Sequence, residues 1–75
     1  MKKQPFNPDK FFWGFHNVTR YIDGPVTDKA GNRSLMVQTY DTETAAALKT
    51  IVTRCFDVKI IMSNTIDHTE FMIKY

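Results

Sequence analysis

The stretch Lys10-Phe11-Phe12-Trp13-Gly14-Phe15-His16-Asn17-Val18-Thr19-Arg20-Tyr21-Ile22 decides how the chain is read, because five of its aromatic rings fall between Phe11 and Tyr21. Aromatic and β-branched side chains at this density predict a long first strand from Phe11. Strict alternation fails within it: Trp13, Phe15 and Tyr21 stand at odd positions, Val18 and Ile22 at even ones. A single buried face then requires a bulge near His16 and Asn17, with Gly14 a second candidate.

Ahead of this run, residues 1–10 carry Pro5 and Pro8 together with Lys2, Lys3 and Lys10. They predict an extended N-terminal arm in front of one α+β domain over residues 11–75. Beyond Ile22, Gly24-Pro25 marks an irregularity on a sheet edge. The segment Asp28-Lys29-Ala30-Gly31-Asn32 makes a hairpin tip, since Asp28 suits the first position of a type I turn and Gly31 a left-handed bulge. The second strand runs from Ser34 to Tyr40.

A helix follows, capped by Asp41 or Thr42, with Glu43 at its positive end and Ala45, Ala46 and Ala47 supplying propensity. Leu48, Ile51, Val52 and Cys55 form its expected buried face; Lys49, Thr50, Thr53 and Arg54 form the wet one. Val58 to Met62 has the composition of a third strand, residues 63–69 are rich in turn formers, and Phe71 to Tyr75 make a fourth strand. The order is ββαββ, a four-stranded, mainly antiparallel sheet covered on one face by a single helix. A crossover through that helix predicts strand 3 parallel to strand 2 and inserted beside strand 1, for a sheet order of 2-1-3-4.

Composition narrows the class. With 43% hydrophobic and 24% charged residues and a net charge of +2, the chain is an ordinary globular domain. Cys55 is its one cysteine, which leaves no internal disulfide and favours a reducing compartment, the cytoplasm. No apolar run is long enough for a transmembrane segment, so no membrane association is expected.

The aromatic cluster is the feature with most functional content. Consecutive strand residues point to opposite faces, so one helix can cover at most half of these rings. The surplus predicts a contact surface for another protein or a second copy of the chain, carried by Trp13, Phe15, Tyr21 and Tyr40 with Arg20 at the rim. The alternative is single-stranded nucleic acid, with bases stacked on the same rings and phosphates held by Lys2, Lys3, Lys10 and Arg20. Met36, Met62 and Met72 serve as core filling or as part of an adaptable outer surface.

Catalytic and metal chemistry are not expected. His16 is remote in sequence from Asp67, His68 and Glu70, which fall in or beside a turn, so no cofactor or metal is assigned to them. Cys55, placed on the apolar helix face near the negative end of the dipole, is expected to be a buried small hydrophobe rather than a nucleophile. Gly14, Gly24 and Gly31 form no phosphate-cradling loop.

In size, in its ββαββ pattern and in the lack of a catalytic signature, the chain resembles the small accessory proteins that tailed bacteriophages make early in infection. That resemblance implies a modulator or inhibitor that binds a host protein in the host cytoplasm, with self-association as a homodimer also expected.

Overall fold

Asn7 starts the first regular element. In the computed structural model, which describes residues 3–75, the Asn7 backbone is extended and its side-chain oxygen accepts hydrogen bonds from the amides of Asp9 (3.0 Å) and Lys10 (3.2 Å). Pro8 follows at the first helical position, where a missing N–H leaves nothing unpaired, and Asp9 suits the positive helix end. The product is α1, Pro8–Phe15, extended by a 3-10 turn over His16–Val18. The expected strand from Phe11 is therefore corrected: Phe11 to Phe15 are helical and the first strand, β1, spans Tyr21–Thr27. Pro8, Asp9 and Lys10, expected in the arm, belong to the same helix. As a helix, the segment brings Phe11 and Phe15, four residues apart, to one side, with ring centroids 5.1 Å apart. Aromatic β-propensity reflects packing on a half-buried surface, and a capped helix supplies that packing here.

The remaining elements are β2 (Arg33–Thr39), α2 (Thr42–Cys55), β3 (Lys59–Asn64) and β4 (Thr69–Lys74). All neighbouring strands are antiparallel, in the order β1-β2-β4-β3. The expected order is corrected accordingly. Strand β3 does run in the same direction as β2, as a crossover through α2 demands, but β4 inserts between them and leaves β3 at the far edge. The single-helix ββαββ pattern becomes αββαββ.

Turn chemistry fixes the first hairpin. Asp28 accepts from the amides of Ala30 and Asn32, both at 2.9 Å, and Gly31 adopts φ +86°. On the edge strand β1 the register shifts between Asp23 and Val26, across Gly24-Pro25. Gly24 holds φ +113° there, a region that side chains rarely enter.

The core is one cluster of Phe6, Phe11, Leu35, Val37, Ala45, Leu48, Val52, Phe71 and Ile73, which joins both helices to one face of the sheet. The buried stripe of α2 is Ala45, Leu48 and Val52, so the expected face is shifted: Ile51 and Cys55 are exposed. Phe56 takes the next core position beside Phe6, edge-on at 5.4 Å. Phe6 also meets Phe11 at 5.8 Å and Tyr75 at 4.9 Å. Gln4 holds this corner in place by pairing with the backbone of Cys55 and Asp57. At the other end of α2, Asp41 accepts from the Thr44 amide at 2.7 Å, and the hydroxyls of Thr42 and Thr69 meet at 3.0 Å. Among the described residues no helix is long and apolar enough to cross a membrane.

Candidate functional site

Helix α1 is too short to bury more than one side, and its two faces carry different chemistry. Phe11 and Phe15 turn inward, whereas Phe12, Trp13 and His16 form a second cluster on the solvent side. The Phe12 ring stacks on the His16 imidazole, with centroids 5.2 Å apart and planes 16° apart. Trp13 stands edge-on to both, at 5.5 Å from Phe12 and 5.8 Å from His16. Trp13 is 73% exposed and Phe12 40%. The His16 Nδ1 lies 3.0 Å from the Phe12 carbonyl oxygen. A carbonyl only accepts, so Nδ1 carries the proton and, in the neutral ring, Nε2 remains an acceptor. The arrangement is a held plate of three rings, two edge-to-face contacts and one stack, with an indole as its most exposed part.

The other expected contact residues lie elsewhere. Phe15 is half-buried and packs against the core. Tyr21 opens β1 on the outer sheet face, paired with Gln38, and Tyr40 is exposed between β2 and α2. Arg20 reaches Asp67 in the β3–β4 turn at 3.4 Å. Trp13 thus keeps Phe12 and His16 as company rather than Tyr21 or Tyr40. The signal that could have found this cluster is the spacing of Phe12 and His16, four residues apart like Phe11 and Phe15. Of the cations assigned to nucleic acid, Lys3 and Lys10 are exposed, Arg20 is engaged by Asp67, and Lys2 lies outside the described residues.

Compared with family models, with curated proteins and with solved structures, the chain has no match.

Three groups with reactive potential occupy three separate places. Cys55 is exposed at the end of α2. His16 is tied to its own helix. His68 donates through Nδ1 to Asp67 at 2.8 Å, with the Thr65 hydroxyl 3.0 Å away. The hydrogen bond from His68, helped by those from Thr65 and by the charge of Arg20, holds the Asp67 carboxyl below its ordinary range. The His68 Nε2 is sealed from solvent and has no hydrogen-bond partner among the described residues, with Glu70 3.9 Å away. Among the described residues no group of three or more His, Cys, Asp or Glu is placed to hold a metal ion.

Proposed function

We propose that this protein is a non-catalytic binding module that docks another protein through the solvent face of α1, with Trp13 as the anchor. The observation that carries it is the exposed plate of Phe12, Trp13 and His16, whose rings brace one another while Phe11 and Phe15 fasten the helix to the core. Aromatic anchors of this kind dominate protein interfaces because they bury much area at little conformational cost. A rigid base adds to that, since less order has to be imposed on binding. The separation of Cys55, His16 and His68 supports the non-catalytic part of the proposal. Given the resemblance to phage accessory proteins, the partner is a host protein whose activity is modulated by being covered.

The test is stoichiometric capture of one host protein from a bacterial lysate by the immobilised chain, repeated with Trp13→Ala and Phe12→Ala variants of unchanged circular dichroism. Loss of the captured species with both variants supports the proposal. Equal capture by the variants, or none by the native chain, removes it. The same variants are titrated with single-stranded oligonucleotides at low salt. Binding there that falls steeply as salt is added would transfer the aromatic plate to the nucleic-acid reading instead.

A further inference from the structure

The outer sheet face, on the side away from both helices, carries three rows of side chains set by the strand register. The middle row is Asp23, Met36, Met72 and Ile61, directly opposite one another across the strands. One flanking row is Tyr21, Gln38, Glu70 and Ser63; the other is Val26, Ser34, Lys74 and Lys59. Ile61 is 55% exposed, and Met72, Tyr21 and Val26 are exposed as well. Met36, Met72 and Ile61 line a shallow apolar depression of about 270 Å³, with Glu70 and Lys74 among its walls.

We infer that this face is self-complementary and pairs with a second copy of the same chain, about a twofold axis lying along the Met36–Met72–Ile61 row. A half-turn about that row superposes the two flanking rows with their order along each strand reversed. Glu70 then faces the partner's Lys74, and Lys74 faces the partner's Glu70, so the same charge pair forms twice. Tyr21 falls on the partner's Val26, apolar on apolar, and the methionine row closes on itself. Within one copy Glu70 and Lys74 are four residues apart on β4, about 13 Å, and do not reach each other. Lys74 instead stands opposite Lys59 across the β3–β4 ladder, a like-charge pair that costs stability in a lone sheet. Among the described residues neither lysine makes an ion pair. The partner's Glu70 supplies the missing counter-charge. The one unfavourable contact is Asp23 against the partner's Asp23, at the solvated rim where such contacts are worth little.

The pairing uses a different surface from α1 and stands or falls independently of the proposed function. The footprint of four strands about 4.8 Å apart, each about 20 Å long, is at the small end for a protein interface, so association is weak and is to be followed at high concentration. The experiment is sedimentation equilibrium of the full chain up to several hundred micromolar. The native chain is expected to form a dimer. Glu70→Lys alone and Lys74→Glu alone each weaken it about tenfold, because each turns two attractions into two repulsions. An equimolar mixture of these two variants restores it, since every opposed pair is then of opposite charge. Ile61→Glu, at an exposed position, abolishes the dimer while circular dichroism stays native. A native chain that remains monomeric throughout overturns the inference. So does a dimer indifferent to both charge changes, or single variants that weaken it without recovery on mixing.

Discussion

Phe11 and Trp13 lie two residues apart on the same short helix and meet opposite environments, the first 2% exposed and the second 73%. Truncating Phe11 removes a ring packed against Phe6 and Phe15, which costs about 3–5 kcal/mol. A chain of this length has about 4–11 kcal/mol in all, so Phe11→Ala is expected to be marginally folded at room temperature. Trp13→Ala is expected to change stability by no more than about 0.5 kcal/mol. Urea unfolding followed by circular dichroism checks both. Trp13 is the only tryptophan and already faces water, so its fluorescence is a poor unfolding probe.

Asn7 is the second point of attachment for α1. Replacing it with Ala leaves the amides of Asp9 and Lys10 without their acceptor and is expected to cost about 1 kcal/mol, visible as a lowered urea midpoint. Asn7→Asp should retain the native midpoint, since a carboxylate caps equally well and suits the helix dipole. Equal loss with both variants would mean that the cap does not hold α1.

Two glycines are expected to respond in opposite directions. A Cβ on Gly14 meets nothing within 4 Å, so Gly14→Ala should stabilise the chain by about 0.5–1 kcal/mol through helix propensity. A Cβ on Gly24 would sit 3.2 Å from the Ser34 carbonyl oxygen and the Val26 nitrogen, on a backbone with φ +113°. Gly24→Ala should cost about 1–3 kcal/mol. Paired denaturation curves settle the signs.

Three carboxyls make the fold acid-sensitive. Asp28 is held below its ordinary value of 3.8 first by the Asn32 amide, Asp41 by the Thr44 amide and Asp67 by the His68 side chain. A carboxyl depressed in the folded state stabilises fully above its unfolded value, and that contribution is lost as pH falls through the folded one. The melting temperature should be steady near neutrality and should fall below about pH 5. Asp41→Asn keeps a competent cap but removes its titration, so its acid decline should be shallower. An acid limb as steep as that of the native chain would remove Asp41 from this account.

Where local chemistry acts alone, the sequence was sufficient. Asp41 caps α2, Asp28 and Gly31 make the hairpin tip, and Gly24-Pro25 disturbs β1, all as their side-chain and backbone preferences require. In the aromatic run, ring content favours a strand, but Asn7-Pro8-Asp9, three helix-start signals in a row, outweigh it. Sheet order was legible only in part: the shared direction of β2 and β3 follows from the crossover, but the insertion of β4 between them does not. Both β3 and β4 have the composition to sit beside β2, and the choice depends on long-range packing of Phe71 and Ile73 between Leu35, Val37 and β3. The exposure of Cys55 follows from a similar non-local event, the arrival of Phe6 against Phe56. For the candidate site, the ring content around Trp13 pointed to exposed aromatic surface, but the company of Phe12 and His16 depends on the helix.

The two margins of the sheet differ in a way that governs uncontrolled assembly. Along β1 the ladder is broken at Gly24-Pro25, whereas β3 keeps an unbroken register from Lys59 to Asn64. A growing fibre must accept a new strand at one margin and offer a regular one at the other. Here only one margin is regular, so strand addition at the β1 side meets a broken ladder, and an open-ended filament has no second margin from which to continue.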